Sequence, residues 1–281
     1  MKYKAYLITI IVALSALIYL FSFQSHNFLE LTFFDVGQGD ASLIILPNGK
    51  KILIDGGPDN KVLFGLGKYL NYFDRDIDLI ILSHEHDDHI FGLMQVIKRY
   101  KIGKIIHTAN ACQTGVCRQF FKTIGELQIK NEELTGTQKI IFNSNCVLDL
   151  YPPENLLAKN INNRSIALRL DCAGAKIFMV GDGEIEREEE LLSEGHDLSA
   201  TVFKASHHGS KTSNGENLLK IINPSLVIIP VGTENNFKHP AESTLLRFKN
   251  LGIKYFRTDI NGNISLKFLG TTYPQITIDK E

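Results

Sequence analysis

Short apolar runs alternate with amphipathic stretches along most of the chain, and this pattern predicts a fold built from both strands and helices. In the first half, strands are predicted at residues 31–36, 42–46, 51–55, 77–83, 104–108, 138–142 and 146–151. Helices are predicted there at residues 62–72, 88–100 and 115–127. The first three strands form a meander, because short segments rich in turn residues separate them.

The second half repeats this order. Its predicted strands are residues 165–171, 176–180, 200–205, 226–231, 254–258, 264–268 and 276–278, and its predicted helices are residues 184–194, 216–222 and 241–251. Asn261-Gly262 predicts a hairpin turn near the end of the chain. Two halves of this kind predict two mixed sheets packed face to face, with the helices outside. In such layered folds, ligands bind at the C-terminal ends of the strands.

The beginning of the chain differs from the rest. Residues 5–29 contain no Lys, Arg, Asp or Glu, and residues 5–23 are apolar or small. At about 1.5 Å per residue, that run nearly spans a ~30 Å hydrocarbon layer. We expect residues 1–28 to form an N-terminal transmembrane anchor, with Lys2 and Lys4 in the cytoplasm and the remainder outside. A cleaved signal peptide is the alternative, although residues 22–25 lack a clear small-x-small cleavage site.

Composition narrows the function. Hydrophobic residues make up 44% of the chain and charged residues 22%, which are values of a globular protein. The net charge is −1, but residues 1–23 hold two lysines and no acid, so the remainder has 28 basic and 31 acidic residues. This acidic balance argues against a protein that coats nucleic acid without regard to sequence, and it leaves a local basic groove open.

The four cysteines bear on the compartment. Cys112 and Cys117 close a short loop, whereas Cys146 and Cys172 lie in strand-like runs. A domain outside the cytoplasm permits a disulfide between Cys112 and Cys117. The alternative is four reduced thiols, two of them in the core. A zinc ribbon is disfavoured, because the sequence contains no CxxC pair.

Five of the nine histidines fall into two short clusters: His84, His86, His89, His207 and His208. The first cluster reads HEHDDH and directly follows an apolar predicted strand. On an extended segment, alternate residues point the same way, so His84 and His86 face one point. Asp88 and His89 enter the next helix and face a neighbouring point. Imidazole and carboxylate groups suit Zn²⁺ or Mn²⁺, so this loop predicts ligands for two metal ions. A solvated charged loop is the alternative.

This cluster resembles the HxHxDH signature of the metallo-β-lactamase superfamily, and further motifs match that family in order. Asp55 lies in the sequence LIDGG, and Asp182 lies in the sequence MVGDG. The motifs FDVGQGD at residues 34–40, NNRS at residues 162–165 and KASHHGS at residues 204–210 resemble, more specifically, the ComEC branch of the family.

The resemblance extends from residue 31 to about residue 268, and it implies a fold and an activity. The implied fold is α/β, a four-layer αββα metallo-β-lactamase sandwich formed by residues 29–281 and preceded by the N-terminal helix. Its site holds one or two metal ions. In the ComEC branch the domain is attached to a DNA-uptake channel and is thought to be a nuclease that degrades one strand.

The resemblance also implies a set of ligands for two divalent ions, Zn²⁺ or Mn²⁺. The implied metal ligands are His84, His86, Asp88, His89, Asp182 and one histidine of the 207–208 pair. Asp182 would bridge the two ions. From the pair, we expect His207 to be the ligand and His208 to be a proton donor or a phosphate contact.

Three more residues are expected near the metal ions. Asp55 is expected to orient a histidine ligand from behind, and an Asx turn before two glycines is the less favoured alternative, which is compatible with that role. His239 would reach the site as an acid or a ligand. Asn163 lies near the place where many members of the family have a third histidine. Because an amide oxygen is a harder donor than imidazole, this departure favours Mn²⁺ or a loosely held first ion.

Two metal ions about 3.5–4 Å apart lower the pKa of a bound water and clamp the attacking and leaving oxygens of a displacement. The expected reaction is hydrolysis by a metal-bound hydroxide. The residues expected to act in catalysis are Asp88, His208 and Lys204. The residues expected to bind a phosphate through hydroxyl and ammonium groups are Ser210, Lys211 and Thr212. A solvated Ser/Thr turn is the alternative for this last segment.

These groups favour a phosphodiester substrate, and DNA as that substrate is implied by the resemblance alone. One alternative is a hydrolase of a small phosphodiester, such as phosphocholine or a lipid head group. Another is a membrane-tethered binding module that kept the fold without turnover. The expected partner is the membrane, through the N-terminal helix. ComEC-type proteins carry a channel of many spans, so two alternatives stay open: a separate channel protein as a further partner, or an independent anchored hydrolase.

Overall fold

Two β-sheets pack face to face in the computed structural model, which describes residues 2–22, 27–108 and 112–280. The strands before the midpoint of the chain are β1 (Leu29–Phe33), β2 (Ser42–Ile45), β3 (Lys51–Ile54), β4 (Asp76–Ile81), β5 (Lys101–His107), β6 (Asn131–Glu133) and β7 (Gln138–Asn143). The later strands are β8 (Cys146–Tyr151), β9 (Ala167–Cys172), β10 (Ala175–Met179), β11 (Val202–Lys204), β12 (Leu226–Ile229), β13 (Lys254–Arg257), β14 (Ile264–Phe268) and β15 (Gln275–Ile278).

Both sheets are mixed. The first has the order β15-β14-β1-β2-β3-β4-β5-β6, and the second has the order β13-β12-β11-β10-β9-β8-β7. Strands β3 to β6 run parallel, as do β10 to β13. The helices are α1 (Lys2–Ser22), α2 (Lys61–Tyr69), α3 (Asp87–Val96), α4 (Gly115–Glu126), α5 (Ile185–Ser193), α6 (Glu216–Ile222), α7 (Glu242–Asn250) and α8 (Thr258–Asn261).

Three buried apolar clusters define four layers. One cluster lies between the two sheets and joins residues such as Ile81 and Leu148. A second fills the space between the first sheet and α2, α3 and α4. The third packs the second sheet against α5, α6 and α7, with Phe248 fully buried. The layers are therefore helix, sheet, sheet and helix, as the sequence predicted, and the parallel strands of both sheets direct their C-terminal ends to one edge.

The predicted hairpin at Asn261-Gly262 is wrong. Strand β13 belongs to the second sheet and β14 to the first, so the chain crosses between sheets at this point. The short helix α8 makes the crossing and ends at Gly262, whose N–H donates to the Thr258 carbonyl. Asn-Gly fits this helix end as well as a hairpin, because glycine readily adopts the positive φ that follows a helix. Sequence analysis also missed the short polar strand β6.

Helix α1 forms where the sequence predicted a membrane anchor, and its described apolar side chains, such as Leu7 and Ile10, are exposed. Within the described ranges, no helix has both the length and the apolar character needed to cross a membrane. The region expected to lack a cleavage site, residues 22–25, lies outside the described residues beyond Ser22. The choice between anchor and signal peptide therefore stays a prediction.

All four cysteines are paired. The disulfide between Cys112 and Cys117 ties the segment before α4 to the first turn of that helix. A second disulfide, which the sequence did not predict, joins Cys146 and Cys172, which face each other across β8 and β9 inside the core between the sheets. The alternative of four reduced thiols is therefore wrong for this structure. Two disulfides are typical of a domain outside the cytoplasm.

Two glycines fix the start of α3 against the turn after β3. The N–H of Gly56 donates to the His89 carbonyl at 2.8 Å, and the N–H of Gly92 donates to the Gly57 carbonyl at 2.9 Å. A Cβ on Gly92 would lie 1.8 Å from the carbonyl oxygen of Gly56, and a Cβ on Gly56 would lie 2.3 Å from the Leu93 nitrogen. Only glycine permits so close an approach of two backbones.

Replacing Gly92 by alanine is expected to lower the free energy of unfolding by about 2 kcal/mol or more, because the new methyl group would overlap a backbone oxygen. The matched change is Gly67→Ala in α2, where nothing lies within 4 Å of an added Cβ. There, alanine should stabilise the helix by up to about 1 kcal/mol. Chemical denaturation followed by circular dichroism measures both effects, and equal stabilities would contradict the tight contact.

Candidate metal centre

The HEHDDH motif lies where the chain leaves β4 and enters α3. Ser83 accepts a backbone hydrogen bond from Ile166 of the second half, at 2.9 Å, so the motif lies where the two halves meet. His84 is fully buried, and its Nε2 lies 3.0 Å from Nδ1 of His86. Both nitrogens therefore face one point, as the alternation on an extended segment predicts. His89 follows in the first turn of α3 and is also fully buried.

The second sheet contributes Asp182 at the end of β10. Its N–H donates to the Ser165 hydroxyl oxygen at 3.1 Å, and its side chain is buried. Its Oδ2 lies 3.4 Å from Nε2 of His89 and 3.3 Å from Nε2 of His208. Asp182 is thus placed between a histidine of the first half and a histidine of the second.

Three histidines have one ring nitrogen engaged by the protein and the other turned towards this point. Nδ1 of His84 lies 3.0 Å from the Ser83 hydroxyl, and Nδ1 of His89 lies 2.8 Å from Oδ2 of Asp55. Nδ1 of His208 lies 2.9 Å from the Pro230 carbonyl. An acceptor behind Nδ1 fixes the tautomer that leaves Nε2 with a lone pair, which is the arrangement found behind metal-binding histidines.

Asp55 lies behind two of these rings. Besides accepting from His89, it accepts the Ser83 N–H at 2.8 Å and the Ser83 hydroxyl at 2.7 Å. Because that hydroxyl donates to Asp55, its oxygen is free to accept from His84. One buried carboxylate therefore orients His89 directly and His84 through Ser83. Asp55 has a positive φ of 56° and lies in the turn after β3.

His207 and His208 occupy each other's predicted places: His208 lies in the central cluster and His207 lies outside it. Both residues have left-handed backbone angles, which turn the two rings apart. His208 is buried, and its Nε2 lies 3.9 Å from Oδ2 of Asp88. His207 lies at the rim, with Nδ1 3.6 Å from Oε1 of Glu184. The geometry favours His208, not His207, as a member of the central cluster.

Several groups of side chains place ligand atoms within 4.8 Å of one another. Two such groups are His84 with His89 and Asp182, and Asp88 with His89 and His208. Among the described residues, buried atoms without a hydrogen-bond partner include Nε2 of His89, Nε2 of His208 and Oδ1 of Asp182. Buried polar atoms normally have partners, so a set of partnerless donors and acceptors that converge fits a cation between them.

The electrostatics agree with this arrangement. Burial lowers the pKa of His84 well below its ordinary value, so the ring is neutral near pH 7, the form that binds metal. Burial opposes a charge on His89 too, but Asp182 and Asp55 outweigh it and raise the pKa of His89 well above the ordinary value. Burial is likewise outweighed by Asp182 at His208, whose pKa is raised. A divalent cation would supply the positive charge that these carboxylates favour.

Lys204 does not lie where a catalytic or phosphate-binding lysine would. Its side chain is buried beneath the cluster, where the ammonium pairs with Asp40, donates to the Gly181 carbonyl at 2.9 Å and lies 3.6 Å from Oδ1 of Asp182. Burial works against this ammonium, but Asp40 and Asp182 outweigh it and raise its pKa. Lys204 therefore has no open path to a substrate, and it holds the carboxylates in place.

Asp40 is the residue that sequence reasoning missed. It is buried, and its Oδ1 lies 3.5 Å from Nδ1 of His208, while its other oxygen pairs with Lys204. The available signal is the FDVGQGD motif, which ends on this acid. An acid at the end of a glycine-rich turn is more often exposed, so burial could not be deduced locally.

The side chain of Asn163 makes hydrogen bonds to the beginning of α5. Its Oδ1 accepts the Glu184 N–H at 2.9 Å, and its Nδ2 donates to Glu186 at 3.2 Å, so it fixes the start of that helix.

His239 lies at the rim, with its ring 5.3 Å from that of His207 and 6.3 Å from that of His208. Burial, together with those two rings, lowers the pKa of His239 to about 4. Its imidazole is therefore neutral at pH 7 and unsuited to act as an acid.

The segment expected to bind phosphate forms a self-bonded turn. The hydroxyls of Ser210 and Thr212 lie 3.0 Å apart, and Ser210 is buried, whereas Lys211 and Thr212 are exposed. The Ser210 N–H donates to the His207 carbonyl at 2.8 Å, which places this turn next to the rim. Lys211 is the member of the three that keeps an exposed charge for an anionic substrate.

Comparison with known proteins shows which families this chain is similar to. A family model described as the metallo-beta-lactamase superfamily matches residues 34–132. The chain is 27% identical over 256 residues to ComE operon protein 3 of Bacillus subtilis, covering 85% of this chain and 33% of that protein. It is 29% identical over 240 residues to competence protein ComA of Neisseria gonorrhoeae, covering 84% of this chain and 32% of that protein. The chain thus spans about a third of the length of these relatives.

The solved structure of YhfI from Bacillus subtilis, a metallo-beta-lactamase fold protein, superposes with a TM-score of 0.58. The match covers 85% of this chain and 99% of that one, at 12% identity, so it concerns the fold alone. The α/β architecture with two mixed sheets is therefore confirmed. The motifs, the family match and the relatives over most of the chain agree: this chain is similar to the metallo-beta-lactamase superfamily over residues 34–132, and to ComE operon protein 3 and competence protein ComA over most of its length.

Proposed function

We propose that this protein is a metal-dependent hydrolase of phosphodiesters. The observation that carries the proposal is the convergence of buried nitrogens and oxygens that have no hydrogen-bond partner among the described residues, at His89, His208 and Asp182. Leaving such groups unpaired in a protein interior costs roughly 1–3 kcal/mol each. Their convergence is accounted for when cations lie between them.

Two ions would bind all the ligand atoms of this cluster. His84 and His86 would hold one, and Asp88, His89 and His208 the other, with Asp182 between them. Zn²⁺ and Mn²⁺ both suit this mixture of imidazole and carboxylate. When bound, two such ions lower the pKa of a water and polarise a phosphoryl oxygen.

Other side chains of the protein would orient the metal ligands and contact the reacting group. Asp55 and Ser83 hold the rings of His84 and His89 in the binding tautomer. The side chain of Asp88 is 35% exposed, so it faces the open side and can accept a hydrogen bond from a reacting group. His207 lies at the same rim, and its pKa is lowered by burial, so it can donate an N–H or accept through its free nitrogen as a neutral ring.

We infer DNA as the substrate. Support comes from one relative, which is named as a competence protein, and from exposed lysines such as Lys211. The net charge of −3 outside residues 1–23 limits the contact to a short stretch of a strand. Because the chain matches only a third of those relatives, the activity of the whole proteins is carried over as a proposal.

We further propose that the domain works outside the cytoplasm, with residues 1–28 as its tether and with a separate channel protein as a candidate partner. The two disulfides support the compartment. The tether is supported by α1, because those of its apolar side chains that the structure describes, such as Leu7 and Ile10, are exposed and would be shielded by lipid.

Replacing Asp88 by alanine is expected to reduce hydrolysis of bis(p-nitrophenyl) phosphate, with added Mn²⁺ or Zn²⁺, by at least about a hundredfold, because it removes a metal ligand on the open side. The matched control is Asp87→Ala, since the Asp87 carboxylate accepts from Thr114 and lies off the site. Release of p-nitrophenolate measures both. Unaffected activity of the Asp88 variant would refute the mechanism, and a metal-bound wild type without turnover would favour the binding module.

The adjacent histidines provide a second test. His208→Ala should weaken metal binding by about 10- to 100-fold, because it removes an oriented imidazole from the centre. His207→Ala should retain nearly all of the metal, since that ring lies at the rim. Metal content after dialysis against a weak chelator gives the comparison, and the reverse order of loss would restore the assignment predicted from sequence.

The compartment is tested by fractionation of cells that make the full chain. We expect the protein in the membrane pellet, with no cysteine open to alkylation before reduction, because both disulfides form outside the cytoplasm. A chain that begins at Asn27 should leave the pellet. A full chain in the cytoplasmic fraction, with four reactive thiols, would contradict the proposal.

A further inference from the structure

An exposed aromatic ring lies beside the metal centre, on the loop between β12 and α7. The side chain of Phe237 is 68% exposed, and its ring stacks on that of His239, with the centroids 5.7 Å apart and the planes 24° apart. The ring of His239 is in turn 6.3 Å from that of His208. A continuous path of two ring contacts therefore leads from the buried cluster to an open aromatic face.

This loop is held in place. The Asn235 side chain donates to the carbonyls of Gly232 and His239, at 2.9 and 2.8 Å, and accepts the His239 N–H at 2.7 Å. Further along, the Ala241 N–H donates to the Gly209 carbonyl at 3.0 Å, which joins the loop to the turn after His208. Phe237 is thus presented to solvent by a braced loop whose next ring, His239, adjoins the metal-ligand cluster.

Exposed lysines lie on two segments near this rim. Lys238 follows Phe237 in the chain, and Lys211 lies on the turn after His208. Their ammonium groups suit an anionic backbone beside the aromatic face, and they oppose a cationic ligand there.

We propose that Phe237, braced by His239, is the platform on which a nucleobase stacks while the neighbouring phosphodiester lies at the metal centre. This inference rests on the proposed function and specifies its substrate class as single-stranded nucleic acid. A base inside a duplex is open to stacking on a side chain only when it has left the base stack, and every base has a face that stacks. A choline head group would be attracted to the ring but repelled by the nearby lysines.

The test compares two oligonucleotides of equal length, one of thymidine and one with abasic sites throughout, which has the phosphodiesters without the bases. The full-length protein should cleave the first with a kcat/KM about tenfold higher, the range expected for one stacked base. Phe237→Ala should remove this preference, and Phe237→Trp should restore it. The matched control is Phe73→Ala, because Phe73 is 83% exposed on the loop before β4, at the opposite ends of the strands.

A binding measurement separates this proposal from the proposed function. Fluorescence anisotropy with labelled forms of the same oligonucleotides, in the presence of a chelator, needs no turnover. If neither oligonucleotide is cleaved but Phe237→Ala still removes the preference for bases in binding, the hydrolase proposal fails and the platform stands. The platform is overturned if Phe237→Ala leaves the preference for bases intact, or if it selectively impairs cleavage of a phosphocholine ester.

Discussion

The structure of the site depends on one buried carboxylate. Asp55 accepts from the backbone and the hydroxyl of Ser83 and from the ring of His89, and through Ser83 it also fixes His84. A buried carboxylate is tolerated only when its oxygens are satisfied, so this network constrains three segments at once. They are the turn after β3, the end of β4 and the start of α3. The contact between Gly56 and Gly92 then follows as a requirement, because His89 reaches Asp55 only when α3 approaches that turn.

A second buried network joins the other half. Lys204 of β11 pairs with Asp40 of the first half and faces Asp182 at the end of β10. Removing an ion pair from water costs several kcal/mol per ion before its Coulomb attraction is counted, so such a pair contributes little net stability. The main effect of the ion pair is to fix the positions of neighbouring side chains. Asp40 lies against the ring of His208, so the charge of one half sets the place of a histidine in the other. Neither half holds the whole cluster: His84 and His89 come from the first half, and Asp182 and His208 from the second.

The sequence predicted those features that are local. Apolar runs placed nearly all the strands, and the spacing within residues 84–89 predicted a shared point for His84 and His86 because strand geometry alone decides it. The sequence did not predict features that are set by other parts of the fold. The disulfide of Cys146 and Cys172 depends on strand register, and the choice between His207 and His208 depends on two left-handed residues. No local pattern predicts either, since the first follows from how β8 and β9 pair within the second sheet and the second from the backbone angles of two adjacent histidines.

The missing third histidine has a structural counterpart. Where the family often supplies a ligand, this chain uses Ser165 to accept the Asp182 N–H and Asn163 to accept the Glu184 N–H. Buried Arg187 donates to the Ser165 carbonyl and fixes that segment from below. The segment has thus become a support for the carboxylate between the proposed ions. With only His84, His86 and Asp182 as ligands, the first ion would keep an open position, as catalytic metal sites do and structural sites do not.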